Sequence, residues 1–447
     1  MLRLKEWVDK YYVRKEKDEH YEELVVAHNP IGDVYYNFLY TDTNKEFPKN
    51  DYGTVDLTML VPGVHDGKRM DTFVANTFHS KISGERYVCQ WGKGNEQQMR
   101  FEGIYCFLKR APSLYDKFVL ELYSDMTSLF SWSQIEFLYK QLQIKEKFQR
   151  IPLFCGYKIS NKKVRWQVAM PKAEDFPIKS EKVRCGGRTI VNHSFTKTQI
   201  DWAFSYNCSY DYFFGRGCLP SSIANKKILI IGIGAIGSMV AQTLVRSGAK
   251  YLGLYDVDLK EPGNVCRSEY DFLSGISDKP YELSSILQSI SPFVRCEILP
   301  KTLDSGIKLA MNNNEAKNAI QEILDKYDII FDCSTDDGMM YALDKLDIRA
   351  KLINISINNH AYELVCAMGK NITETVKLIF TQLVQSDTVD MFYPTGCWSP
   401  TFKASYNDIA TKLQFALKHI IRMLSTTEPE SNFYISETQD GMFINRL

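Results

Sequence analysis

A chain of 447 residues with 54 Lys+Arg against 54 Asp+Glu carries no formal net charge at pH 7, so no global basic field draws it to nucleic acid or an anionic membrane. The length fits two to four domains of roughly 100–200 residues each. A composition of 45% hydrophobic and 24% charged residues, with no long Gly/Ser/Pro or single-charge tract, excludes a disordered, collagenous or repeat-array chain.

Eleven cysteines, an odd number with no C-x-x-C pair, exclude a disulfide-dense framework and a thiolate zinc site. The opening stretch MLRLKEWVDKYYVRKEKDEHYEE puts charges where a signal peptide needs an apolar run, so a cytoplasmic, reducing location is expected. Residues 2–18 read as a charged helix. Strand-like runs follow at 23–27, 34–40 and 55–61, then an irregular stretch bearing His79 and Cys89, then helical patterns at 113–129 and 133–142. This order predicts an α+β domain over residues 1–150. Strand-like pieces at 151–157 and 164–169 lead into EKVRCGGRTIVNHSFTKTQIDW, and residues 151–211 read as a linker or docking segment before the Gly/Pro-punctuated YFFGRGCLPSS.

From 212 to 447 the pattern changes. Short β-rich runs at 228–231, 251–255, 294–299, 328–331, 352–357 and 363–368 alternate with apolar-periodic segments at 238–247, 280–290, 314–324, 339–346 and 409–424. That alternation predicts an α/β domain built on a doubly wound, mostly parallel sheet. The run ILIIGIGAIGSMVAQTLV is long enough to be mistaken for a membrane span. Its three glycines, and the lack of a second such run, read instead as a buried strand, a turn and a helix.

Gly232, Gly234 and Gly237 form G-x-G-x-x-G after that strand and at the start of that helix. Glycines let backbone N–H groups approach a phosphate or ribose closely, and the helix N-terminus adds partial positive charge. Asp256 ends the next strand, where a carboxylate can accept from ribose hydroxyls. A nicotinamide dehydrogenase fits equally well to this point. Beyond it stand Asp258, Asn264, Arg267 and Lys279, and later the strand-end cluster of Asp332, Asp336 and Asp337. A dehydrogenase has no use for that series. An enzyme that cleaves ATP between its α- and β-phosphates needs cations to neutralise the departing pyrophosphate and a carboxylate to hold Mg²⁺.

With these motifs in this order, residues 212–425 resemble the ubiquitin-activating-enzyme superfamily, the ThiF/MoeB-like adenylyltransferases, whose members include enzymes of thiamine and molybdopterin biosynthesis and of bacterial ubiquitin-like conjugation and antiphage operons. The resemblance implies a Rossmann-like adenylation domain that uses ATP and Mg²⁺. It implies that Gly232, Gly234 and Gly237 contact nucleotide, Asp256 the ribose, Asn264, Arg267 and Lys279 the phosphates, and Asp336 the metal. The family also uses an arginine upstream of the glycine loop, often contributed across a homodimer. Arg216 in FGRG is the nearest match, and a surface-turn role is the other reading. Three residues separate Asp332 from Asp336 where the family has two, so Asp337 stays open as the metal ligand. Ser268 stands where many relatives carry glutamine, and the missing C-x-x-C motif points away from the sulfur-carrier branch.

Protein-activating relatives pass the acyl group to a cysteine. Cys397, in YPTGCWSPTFKASYNDI, lies in a Gly/Pro-rich stretch ahead of a helix and near Lys403, features that lower a thiol pKa. Relatives in bacterial conjugation systems carry a similar G-C and P-T-F stretch; the alternative is a small apolar loop residue. Cys366, inside an apolar strand, reads as core, and Cys266 has no needed role. In the first 150 residues Pro62, His79 and Cys89 follow the order of a ubiquitin-conjugating enzyme, although Ser80 and Gln90 depart from its pattern. Both a conjugating domain and a noncatalytic docking domain fit. The function implied is ATP-dependent adenylation of the C-terminal carboxylate of a ubiquitin-like protein ending in glycine, then thioester transfer to Cys397 and onward to a conjugating enzyme, with no nucleic-acid or membrane partner. Adenylation of a short ribosomal peptide, as in microcin-type enzymes, and a noncatalytic adenylation-like scaffold are the rivals.

Overall fold

Alternation of apolar and polar residues closes the first half of the chain into a ring of strands. The computed structural model describes residues 2–14, 29–91, 100–112, 120–144, 150–159, 163–172, 177–185, 188–383, 390–392, 402–426 and 429–446, and these divide after Phe213 into two units. The first begins with helix α1 (Leu2–Val8). Its strands are β1 (Val34–Tyr40), β2 (Tyr52–Met59), β3 (Gly63–His65), β4 (Lys68–Ser80), β5 (Arg86–Val88) and β6 (Arg100–Phe107). After helix α2 (Trp132–Ile144) come β7 (Leu153–Lys158), β8 (Val164–Ala169), β9 (Ile178–Cys185), β10 (Arg188–Phe195) and β11 (Trp202–Asn207), then the short helix α3 (Tyr210–Phe213).

The pairing runs β1-β11-β8-β7-β6-β2-β4, and β4 pairs back onto β1, so seven strands form a closed ring; β3 and β5 extend β4, and β9 and β10 form a separate hairpin. One face of each ring strand supplies an aromatic interior: Phe38, Val55, Phe73, Tyr105, Phe154, Trp166 and Ala203 share one core cluster. The intervening residues Ile104, Cys106, Leu153 and Cys155 pack outward with Leu138 and Leu142 of α2. Gly156 is required inside, because a Cβ there would lie 2.4 Å from the Trp166 ring.

Two expectations are corrected here. Residues 151–211 are not a linker: β7, β8 and β11 are ring strands, and the stretch around CGG is the β9–β10 hairpin. Residues 120–129 form a bridge and one 3-10 turn (Tyr123–Met126) rather than a helix. The runs at 23–27 and 113–119 lie outside the described residues.

The second unit opens with the short helix α4 (Ser221–Ala224), then β12 (Lys227–Ile231), α5 (Ala235–Arg246), β13 (Tyr251–Tyr255), β14 (Leu259–Lys260), α6 (Pro262–Val265) and β15 (Ser277–Asp278). It continues through α7 (Lys279–Ile290), β16 (Arg295–Ile298), α8 (Thr302–Ala310), α9 (Asn314–Leu324), β17 (Ile329–Asp332), α10 (Asp337–Lys345), β18 (Lys351–Ile357) and β19 (Glu363–Met368). It closes with α11 (Ile372–Gln382), α12 (Tyr406–Ser425), β20 (Phe433–Thr438) and β21 (Gly441–Arg446). The sheet order is β16-β13-β12-β17-β18-β19-β20-β21; the first five strands are parallel and the last three antiparallel.

Strand β12 sends Ile228 and Ile230 into one core with α5, α7 and α12, and Leu229 and Ile231 into the opposite core with α8, α10 and α11. Both faces are thereby covered by helices, which is why these strands read as continuous apolar runs. The chain moves outward from β12 to β13 and β16, then returns to β17 on the other side. A crevice is left at the carboxyl ends of β12 and β17, where ligands bind in open α/β sheets. The run 228–245 is β12, a turn and α5, and no described helix is long and apolar enough to cross a membrane.

Candidate functional site

Each of the three loop glycines meets a different demand at the β12–α5 turn. Gly232 has φ +78°, and a Cβ on it would lie 2.3 Å from Ser334 Cα. Gly237 lies under the turn, where a Cβ would approach Gly232 O to 2.1 Å. Gly234 caps α5, and a Cβ there would meet nothing within 4 Å. The first two glycines bring backbones together, whereas the third keeps the helix N-terminus open to a ligand.

Asp256 follows β13 and is pinned beside this loop. Its Oδ2 accepts from Ile233 N–H at 2.9 Å and its Oδ1 from Asp258 N–H at 2.9 Å. Burial pushes its carboxyl above the usual range, opposed by the Lys279 ammonium. Lys279, the buried first residue of α7, reaches Asp256 Oδ1 at 3.6 Å and Asp258 Oδ2 at 3.2 Å. Tyr270, which no motif singles out, donates from its hydroxyl to Ile233 O at 2.7 Å. Glu269 N–H reaches Ser238 Oγ at 3.2 Å, and these two bonds tie the Arg267 segment to the start of α5.

Arg267 is half-buried. Its guanidinium sits 5.0 Å from the Phe402 ring centroid and donates to Phe402 O at 3.1 Å, a contact across 135 positions that no local pattern signals. Asn264 is committed locally: its Oδ1 accepts from Glu261 N–H at 2.9 Å and caps α6. Beneath this segment the fully buried Lys260 donates to Asp271 O, Ser274 Oγ and Glu282 Oε1 at 2.9, 3.1 and 3.0 Å. That pair anchors the 271–278 loop from inside, since leaving either charge alone there would be costly.

The two strand-end aspartates separate by burial. Asp332 is buried, and burial raises its carboxyl pKa against hydrogen bonds from Ser334 and from Asn354 Nδ2 at 2.9 Å. Asp336 is exposed and caps α10, its Oδ1 accepting from Gly338 and Met339 N–H at 2.7 and 3.0 Å. Thr335 between them has φ +55°, a conformation that costs a β-branched residue about 1–3 kcal/mol. A cavity of about 530 Å³ opens beside Asp336 and Asp337, with Asn354 and Ser356 of β18 and Val376 and Phe380 of α11 among its lining. The glycine loop, Asp256, Lys279 and Asp336 thus lie at the carboxyl ends of the adjacent strands β13, β12 and β17 and the segments that follow them. Among the described residues no cluster of three or more His, Cys, Asp or Glu could hold a metal by itself.

Other candidates stand elsewhere. Arg216 lies on an exposed turn, and Leu219 N–H donates to Ser247 O at the C-terminal end of α5. Twelve residues of helix, about 18 Å, separate that end from the glycine loop. Cys397 lies outside the described residues. Asp390 and Lys403, on either side of it, are joined by an ion pair that holds the Asp390 carboxyl below the usual range. His360, in the left-handed region at φ +56°, reaches Asp390 Oδ2 at 3.2 Å.

The nucleophile reading of Cys89 is corrected by burial. Its side chain belongs to the ring interior, and its thiol is pushed up to about 12, so thiolate is scarce at neutral pH. His79 instead pairs outward with Asp56 Oδ2 at 2.7 Å. Cys366 is a buried core residue with a thiol likewise pushed up by burial, and Cys266 is exposed.

Residues 216–374 match the model of the ThiF family. The chain is 29% identical over 236 residues to the "ATP-dependent ubiquitin transferase-like protein Cap2" of Enterobacter hormaechei, covering 51% of this chain and 37% of that protein. It is 29% identical over 133 residues to the "Adenylyltransferase and sulfurtransferase UBA4" of Lodderomyces elongisporus, covering 29% of this chain and 26% of that one. The chain therefore spans about a third or less of the length of these relatives. Among solved structures, E. coli MccB with ATP is 16% identical with a TM-score of 0.35, covering 51% of this chain and 64% of that one.

Proposed function

We infer that the ThiF-family domain at residues 216–374, a Rossmann-like domain, makes this chain an ATP-dependent adenylyltransferase that activates the C-terminal carboxylate of a ubiquitin-like protein. One observation carries the reading: a glycine-opened helix N-terminus, a ribose-type carboxylate, a buried lysine and a strand-end aspartate share one crevice. Asp256 accepts from the ribose, and the N–H groups at the start of α5 and the Lys279 ammonium take the phosphates. Asp336 spends Oδ1 on the α10 cap and keeps Oδ2 for Mg²⁺, which supplies charge neutralisation to the triphosphate. The cavity beyond Asp336, on the side away from Asp256, receives the end of the acyl chain, so its carboxylate meets the α-phosphate between the two. Holding both reactants there, with cations on the departing pyrophosphate, lowers the barrier.

Cys397 is the acceptor of the acyl group in this reading. ATP–pyrophosphate exchange measured with a candidate carrier protein from a neighbouring gene is expected to survive Cys397→Ala, while a thiol-reducible carrier adduct, seen on gels of the wild type, disappears. An adduct that persists in Cys397→Ala removes the thioester role. Exchange with a short peptide and none with any carrier supports the microcin-type alternative, and no exchange with either removes the enzyme reading.

A homodimer completes the site. Val257, Leu259, Phe272, Leu273, Ile276 and Tyr281 all expose apolar side chains around the Arg267–Lys279 segment, with Leu273 at 95%, the kind of patch a partner covers. Leu219, three residues after Arg216, is bonded at the C-terminal end of α5, away from the glycine loop, which fits an arginine delivered to the other subunit. An equimolar mixture of Arg216→Ala and Lys279→Ala chains, each inactive alone, is expected to recover about a quarter of wild-type exchange, because half the dimers are mixed and each has one intact site. Recovery of nothing, with mixed dimers verified by mass, excludes delivery across the interface.

A further inference from the structure

We propose that Asp258 is a positioning residue: it occupies the Lys279 ammonium while the nucleotide site is empty and yields it to an incoming phosphate. The proposal rests on the reading above that Lys279 binds ATP phosphates. Lys279 is buried, with its Nζ 3.2 Å from Asp258 Oδ2 and 3.6 Å from Asp256 Oδ1. A buried ammonium without a partner is costly, and these two carboxylates supply the countercharge.

The two carboxylates are not equivalent. Asp256 is buried, and each of its oxygens holds a backbone N–H, from Ile233 and from Asp258. Moving it would leave the buried Ile233 N–H unpaired and take the acceptor from Asp258 N–H. The Asp258 side chain is 70% exposed, and its hydrogen bond goes to Lys279. Swinging it into water costs only that one contact, which the arriving phosphate oxygen replaces in kind. One ammonium against two carboxylates gives this cluster a net charge of −1, unfavourable for a triphosphate until Asp258 turns away. Lys279 then exchanges one anion for another without leaving Asp256, so the ribose acid and the phosphate cation stay coupled.

Asp258 also shapes the turn, but through its backbone N–H, and Asp258→Asn leaves that bond intact. Calorimetric titration of Mg·ATP and of adenosine onto wild type, Asp258→Asn, Lys279→Ala and the double variant separates the possibilities. Asp258→Asn is expected to tighten Mg·ATP about two- to fivefold and to leave adenosine affinity unchanged. In the Lys279→Ala background the same change is expected to give no gain, which is the coupling a double-mutant cycle measures. A gain that persists without Lys279 means simple charge repulsion and overturns the proposal. So does an unchanged or weakened Mg·ATP affinity in Asp258→Asn when Lys279→Ala alone weakens it. If Lys279→Ala leaves Mg·ATP affinity as it was, the phosphate-ligand reading itself fails.

Discussion

Asp336→Asn is expected to lower ATP–pyrophosphate exchange by about a hundredfold or more, with little change in melting temperature. Asparagine is chosen over alanine because Asp336 also caps a helix. Its Oδ1 caps α10 through Gly338 and Met339, and removing that acceptor costs about 1 kcal/mol of helix stability. Asparagine keeps a capping oxygen and removes only the charge, so lost exchange in a normally melting protein reports the metal-binding role. Asp337, the first residue of α10 and exposed beside it, is the control: Asp337→Asn should retain most exchange. The reverse pattern, with Asp337→Asn inactive and Asp336→Asn active, would move the metal ligand by one residue. Exchange near wild type in both would remove the carboxylate from the mechanism.

Gly232→Ala should be strongly destabilising, and Gly234→Ala distinctly less so. At Gly232 a Cβ meets backbone, with Ser334 Cα at 2.3 Å, Ser334 N at 2.5 Å and Cys333 C at 2.8 Å, while φ is +78°. Strain in the left-handed region and a backbone clash that no rotamer relieves combine to about 3 kcal/mol or more, a fall in melting temperature of roughly 6–12 °C for a unit of this size. The clash also pushes on the segment leading to Asp336, so activity falls with stability. Gly234 has open space around its Cβ position. Its ψ of −136° strains an alanine without adding a clash, so the alanine variant should melt above Gly232→Ala and lose ATP affinity if the open space receives the nucleotide. Equal melting of the two variants would mean that the glycines are interchangeable turn residues.

How much of this was legible in the sequence differs between the halves. The central strands of the second unit announce themselves because both faces are buried, and segment 314–324 coincides with α9. Helix α8 escaped notice since Gly306 sits in its middle. That glycine is a packing choice, as a Cβ would come within 2.8 Å of Ile320 Cδ1 on α9. In the first half, residues 179–184 of β9, KSEKVR, are exposed and carry one apolar side chain, Val183, so the segment offers neither period nor apolar run and reads as linker. The glycine loop, Asp256, Lys279 and Asp336 were visible because each is tied to a strand end or helix start. Contacts that depend on distant segments were not: the Phe402 seat of Arg267 and the Tyr270 bond to the glycine loop.

The closed ring of the first unit bears on how the chain is made. Strand β1 ends at Tyr40, yet one of its neighbours, β11, begins at Trp202. A ribosome must therefore synthesise more than 160 further residues before that seam can form, and such distant pairing is entropically slow to nucleate. Until then β1 has only β4 beside it and β8 lacks β11, leaving two unsatisfied strand edges on the nascent chain. A polypeptide released at residue 150 would keep α2 and the pairs among β1 to β6 but lose three of seven staves. The ring therefore sets the shortest independently foldable piece of this half at about residue 207, not 150.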